Sequence, residues 1–223
     1  DLSATPTAEL GDLIEDARAI IDEFNEYRTG ALDVVLPPRL STSTLIALHQ
    51  DPVELARTIR RPMPRTTDEY SRRGTAFHLW VEHHFGAATL FDDEDLDFLD
   101  PLEEDVKLEE LKTKWLSSEW ANRTPVAVEV PFESVINGVL IRGRIDAVYQ
   151  DGSKFEVVDW KTGSKILGAS AAIQLAMYRL AWSKLRGVDI STVSAAFHYV
   201  PTSVTDRPAD LMSEAELIKL LDL

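Results

Sequence analysis

Asp146 and Asp159 each stand inside an apolar run, Ile145-Asp146-Ala147-Val148 and Val157-Val158-Asp159-Trp160. An ionised carboxylate in such a run is costly to bury unless it is paired or bound to a cation. Lys161 follows the second aspartate by two positions, and residues two apart on a strand share a face. If Asp151-Gly152 is a two-residue loop, Gln150 pairs with Ser153 and Asp146 sits opposite Val157. Asp146, Val157, Asp159 and Lys161 then share one face, with the aspartates as diagonal neighbours about 7–8 Å apart at the backbone. Two carboxylates so spaced can share a divalent cation, and oxygen ligands suit Mg²⁺ or Mn²⁺. Such a cation lowers the pKa of a bound water and neutralises charge on phosphate oxygens. A lysine on the same face can orient that water and stabilise the developing anion. A buried ion pair, Asp146 with Arg144 or Asp159 with Lys161, satisfies the same residues without a cation, and a loop of odd length would separate the aspartates.

The elements that must position these residues are strands. Val126 to Phe132, Val139 to Gln150 and Phe155 to Lys161 are rich in Val, Ile and Phe, with turn signals at Asn137-Gly138 and Asp151-Gly152. Ala169 to Leu185 reads as a helix stopped by Gly187, Val193 to Val200 as a further strand, and Ser213 with Glu216 as the cap of a last helix. Upstream the pattern is helical. Ala8 to Arg28 is amphipathic and stopped by Gly30, Ser41 to Ile59 holds one or two helices broken near Asp51-Pro52, and Lys107 to Trp120 forms another. A helix opens on a Thr66–Glu69 capping box, with Tyr70, Gly74, Phe77, Val81 and Phe85 as its inward stripe. The expected architecture is α/β or α+β, a small mixed central sheet flanked by helices. Residues 1–65 form an N-terminal helical annex and 66–223 the core.

Composition bounds the chemistry. Hydrophobic residues make up 44% of 223, enough for a buried core, and there is no cysteine, so the chain carries no disulfide, iron–sulfur cluster or thiolate zinc site. No run approaches the roughly 18 apolar residues of a membrane span, and the start has no signal-peptide pattern and no methionine. The expectation is a cytoplasmic protein, cut from a longer one, with no membrane partner. A net charge of −15 runs against the basic footprint of nucleic-acid binding. The charge is uneven, however. Six arginines lie between Arg57 and Arg73, and nine carboxylates without a base between Asp92 and Asp105. These are either two solvated faces of opposite sign or, for the arginines, a DNA-facing surface built on Arg60, Arg61 and Arg65.

Five motifs occur in order between Leu40 and Val200: Ser41-Thr42-Ser43-Thr44-Leu45, Gly74-Thr75-Ala76-Phe77-His78, Gly143-Arg144-Ile145-Asp146, Val158-Asp159-Trp160-Lys161-Thr162-Gly163, and Gln174-Leu175-Ala176-Met177-Tyr178. Each is weak alone, but the set resembles the RecB-like branch of the PD-(D/E)XK nucleases. That resemblance implies a restriction-endonuclease-like core and a deoxyribonuclease, with exonuclease action expected. It implies His78, Asp146 and Asp159 as metal ligands with the main-chain carbonyl of Trp160, Lys161 as the catalytic lysine, and Gln174 and Tyr178 as site or DNA-backbone residues. It further implies Mg²⁺ or Mn²⁺ as cofactor, DNA as substrate, and a helicase motor domain, in the same chain or a partner subunit, in DNA break repair. Where many relatives have Cys-Pro, this chain has Asp51-Pro52, and the cluster-forming cysteines are absent. The alternatives are a catalytically weak DNA-binding or scaffold module and a stand-alone exonuclease. Taken singly, His78 is more often a core histidine and the Gln174–Tyr178 pair a helix-surface contact, while Glu129, inside a strand, could reach the site but more readily bridges to Arg142 or Arg144. His83 and His84 read as surface groups and Trp160 as packing against a helix.

Overall fold

Pairing of the strands fixes where the candidate residues meet. The computed structural model describes residues 8–29, 34–62, 68–86, 105–166 and 168–221. Along the chain run α1 (Ala8–Thr29), β1 (Arg39–Ser41), α2 (Thr42–Gln50), α3 (Pro52–Arg60), α4 (Glu69–His84), α5 (Val106–Leu116), β2 (Ala127–Ile136), β3 (Val139–Asp151), β4 (Lys154–Lys161), α6 (Ala172–Arg186), β5 (Val193–Tyr199), β6 (Val204–Asp206) and α7 (Glu214–Lys219). They divide into two compact units, Asp1–Leu36 with Asp51–Met63, and Pro37–Gln50 with Pro64–Leu223.

In the first unit α1 and α3 are separate helices. Asp51 caps α3 by accepting from the Glu54 N–H at 2.9 Å, and Pro52 begins it where no hydrogen bond is lost.

The second unit holds the sheet. Among the described residues six strands form one mixed sheet in the order β1-β3-β4-β5-β6, with β2 also on β3. The β2–β3 hairpin turns on Asn137-Gly138, both at positive φ (48° and 75°), as a two-residue loop matching the strand twist demands. Residues 140–142 of β3 pair with both β1 and β2, and residues 147–148 with both β2 and β4. β1 and β4 therefore share one edge of β3 and leave a fork between them, over residues 143–146. Gly143 lies at this fork because a Cβ there would collide with Thr42 Oγ1 and the Phe132 ring. β4, α6 and β5 form a parallel crossover.

Alternation sorts the side chains onto two faces. Ala147, Tyr149, Val158 and Trp160 join Phe77 and Val81 of α4, Leu111 and Trp115 of α5, and Trp120 in one buried cluster. Trp160 meets Trp115 edge-on at 5.8 Å, as expected of packing against a helix. The opposite face is covered by α6, buried along Ile173, Leu175, Ala176, Met177 and Leu180.

Several expectations need correction. The hairpin loop is Gly152-Ser153, with Asp151 paired to Lys154 and Gly152 at φ 57°. Glycine takes that conformation without strain, so the turn settles one residue later than Asp151-Gly152. Helix α4 is capped by Asp68, which accepts from the Ser71 N–H at 2.7 Å; Thr66 lies outside the described residues. Tyr70 is not part of the inward stripe: it is 54% exposed, while Phe77 and Val81 are buried. α5 ends at Leu116, short of Trp120. The acidic run falls outside the described residues apart from Asp105, whose side chain caps α5 through the Lys107 and Leu108 N–H groups.

Candidate active site

Asp146 occupies the fork. The β3–β4 register pairs Ala147 with Val158, and carried one residue further it sets Asp146 directly opposite Asp159. The expected diagonal is thus a cross-strand pair, with the shared face unchanged because the register moved by two. Asp146 is 7% exposed and Asp159 3%. At the fork the Trp160 N–H donates to Asp146 Oδ2 at 2.7 Å. The N–H and C=O of one strand residue point to the same edge, so the Trp160 carbonyl faces the fork as well.

Two helices reach this point from opposite faces of the sheet. From α4, His78 Nδ1 lies 3.5 Å from Asp146 Oδ2 and 3.6 Å from Glu129 Oε1. His78, Glu129 and Asp146 each bring a ligand atom within 4.8 Å of the others. Burial disfavours charge on His78, but Asp146 and Glu129 outweigh it and raise its pKa to about 9. Burial pushes Asp146 well above the usual carboxylate range, opposed by His78 and reinforced by Asp159 and Glu129.

From α6 comes Gln174, four residues before Tyr178 and so on the same helix face. Lys161 offers only donors, which orients the amide. Gln174 Oε1 accepts from Lys161 Nζ at 2.9 Å, and its Nε2 donates to Asp159 Oδ1 at 2.7 Å and to the Tyr178 hydroxyl at 2.8 Å. Lys161 Nζ also pairs with Asp159 Oδ2 at 2.6 Å. The Lys161–Asp159 ion pair that the sequence allowed is therefore present, but as part of this network. Burial would lower the Lys161 pKa, and Asp159 more than reverses that. Tyr178 is held above the ordinary tyrosine range by burial and then by Asp159 and Asp146.

Glu129 is the site residue that sequence reasoning undervalued. It pairs with Arg144 at 3.8 Å, as expected, but it also belongs to the His78–Asp146 cluster. The signal was available: the Asn137-Gly138 loop sets Ile136 against Val139, and the same register puts Glu129 opposite Asp146. Glu129 is missing from the ladder because its φ is 49°. A left-handed non-glycine residue costs about 1–3 kcal/mol, and here the turn coincides with the carboxylate's place in the cluster. Glu82, one helical turn beyond His78, is 4% exposed, and burial and then Glu129 raise its pKa.

The donor set fits a hard divalent cation. Carboxylates, an imidazole and a main-chain carbonyl converge on the fork, and His78, Glu129 and Asp146 bring ligand atoms within 4.8 Å of one another. His83 and His84 are exposed, with His84 against the Trp80 and Trp115 rings. Arg73 is not a DNA-facing group, being buried between Glu69 and Asp105. Arg60 and Arg61 are exposed at the end of α3, and Arg65 lies outside the described residues.

A mixed sheet forked over two opposed aspartates, with a lysine beside the second and a histidine closing from a helix, is a restriction-endonuclease-like fold with a cluster of groups that could hold a cation. Residues 39–219 match the PD-(D/E)XK nuclease superfamily, and the chain belongs to it. The chain is also similar to the crystal structure of SSO0001, at 14% identity over 91% of this chain and 84% of that one, with a TM-score of 0.38. A candidate exonuclease from Eubacterium rectale is 12% identical over 83% of this chain and 76% of that one, with a TM-score of 0.48. No curated protein matches the chain.

Proposed function

We propose that the protein is a Mg²⁺- or Mn²⁺-dependent deoxyribonuclease of the RecB-like branch, acting as an exonuclease domain of a helicase–nuclease in DNA break processing. The observation that carries the reading is the Gln174 amide joining Lys161, Asp159 and Tyr178 beside the His78–Glu129–Asp146 cluster. A structural ion pair needs no such network, and none of its members is left to packing alone. His78, Glu129 and Asp146 would hold the cation, with Asp159 and the Trp160 carbonyl as further donors. When bound, the ion supplies a water of lowered pKa and neutralises charge on the scissile phosphate. Lys161, kept ionised by Asp159, presents donors to the anion that develops on the phosphate. Gln174 holds Lys161 and Asp159 in register, and Tyr178 holds Gln174. The Asp–Asp–Lys set is complete, which favours cleavage over a purely scaffolding module.

Digestion of end-labelled single- and double-stranded DNA with Mg²⁺, Mn²⁺ or EDTA tests the reading. Metal-dependent shortening from an end is expected. Cleavage that survives EDTA, or activity on internal sites only, contradicts the metal and exonuclease parts respectively.

A further inference from the structure

A cavity beside Thr162 is used by none of the chemistry above. It measures about 290 Å³ and is lined by Tyr70 and Arg73 of α4, Lys107 and Lys114 of α5, Thr162 and Pro201, with Glu110 alongside. Thr162 directly follows Lys161. On α4, Tyr70, Gly74 and His78 recur every four residues, so the cavity mouth lies two turns, about 12 Å along the axis, from the metal-ligand histidine. Gly74 packs against Thr162 between the two.

The lining has three features. Arg73 is neutralised by Glu69 and Asp105, so its charge belongs to the fold. Lys107 and Lys114 are exposed and seven residues apart, on one face of α5. Lys114 spends one donor on the Pro201 carbonyl at 2.6 Å and keeps others for a ligand. In a chain of net charge −15, two such cations beside a phosphodiester-cleaving centre suit phosphate oxygens. Tyr70, lastly, is an aromatic more than half exposed, held at one end: a Cβ on Gly163 would overlap its hydroxyl, so the glycine lets the ring lie over the chain leaving β4.

Resting on the nuclease reading, we propose that this cavity is a nucleotide subsite for single-stranded DNA, in which Tyr70 stacks one unpaired base and Lys107 and Lys114 hold the adjoining phosphates. The volume lies at the small end for ligand pockets and admits one nucleotide rather than a duplex. A single strand presents an unstacked base without the expense of opening a pair, and stacking on an aromatic is tolerant of sequence.

The test is anisotropy of fluorescein-labelled oligothymidylate with the full chain at low salt in EDTA, where no metal supports cleavage. Tyr70→Ala should weaken binding roughly tenfold and Tyr70→Phe should restore it, because the ring and not the hydroxyl carries the stacking. Lys107→Gln with Lys114→Gln should lower the salt slope by roughly 1, and Lys154→Gln, at the far end of β4, should change nothing. Circular dichroism checks each fold, and the surface lysine pair keeps the test decisive if Tyr70→Ala does not fold. Wild-type binding and slope in the Tyr70→Ala and lysine variants overturn the subsite, as does a Tyr70→Phe variant as weak as Tyr70→Ala. Tyr70-dependent binding by a protein that cleaves nothing in Mn²⁺ would sink the nuclease reading and leave the subsite standing. Metal-dependent cleavage untouched by these substitutions would do the reverse.

Discussion

At the scale of single residues, Glu129 carries the sharpest conflict between stability and use. Its left-handed backbone costs the fold, and glycine relieves that strain. Glu129→Gly should therefore raise the urea midpoint in EDTA, by about 1 kcal/mol of stability, while weakening Mn²⁺ binding measured by calorimetry. A variant that is less stable and binds Mn²⁺ normally would remove Glu129 from the site. His78→Ala should weaken Mn²⁺ more than His83→Ala, since only His78 reaches Asp146; equal, negligible effects would return His78 to a packing role. Gln174 touches no metal in this account. Gln174→Leu should lower kcat by about 10–100-fold, the usual range for a residue that orients ligands, with little change in KM. A change confined to KM would instead place it against DNA.

At the scale of elements, the two hairpins show what was legible in the sequence and what was not. Asn137-Gly138 allows one tight loop, so β2 and β3 were readable with their register. Asp151-Gly152-Ser153 allows two loops of equal length, and only the stable conformation of Gly152 in the three-dimensional turn decides between them. Parity survived the shift, so the face shared by Asp146, Asp159 and Lys161 was legible although their spacing was not. The fork was not legible at all, because it arises from the three-residue β1 lying parallel to β3 across a separation of about a hundred positions. Tyr70 misled for a related reason: helical period gives a face but not where the core beneath it ends. One element-level group was missed outright. His198, opposite Trp160 on β5, is 1% exposed, with Nδ1 against Thr205 Oγ1 at 3.0 Å. Burial lowers its pKa from 6.5 to about 4. The unfolded chain then binds a proton that the folded one refuses between those values, so its contribution is intact above pH 6.5 and is lost as pH falls toward 4. The full loss is on the order of 3 kcal/mol. His198→Phe should flatten the fall in stability between pH 6.5 and 4 relative to wild type; parallel pH profiles would show that His198 takes up its proton in the folded state.

At the scale of the whole molecule, a net charge of −15 repels DNA at long range, and physiological salt shortens that repulsion to about 8 Å without creating attraction. Attachment to a DNA-tracking motor would relieve this, since tethering raises effective concentration to about the millimolar range. The chain alone should therefore cleave slowly and only at high enzyme concentration, and far faster within a motor-bearing protein supplied with ATP. Nanomolar DNA binding by the isolated chain would make tethering unnecessary. All of this presupposes that the forked sheet is a metal-dependent hydrolytic centre, and single-turnover cleavage of a labelled DNA strand in Mn²⁺ tests that most directly. Wild type is compared with Asp159→Ala and Lys161→Ala, each shown by circular dichroism to be folded. The expected result is EDTA-sensitive cleavage by the wild type and a loss of orders of magnitude in both variants. Near-wild-type cleavage by Asp159→Ala, or robust cleavage in EDTA, would contradict the account.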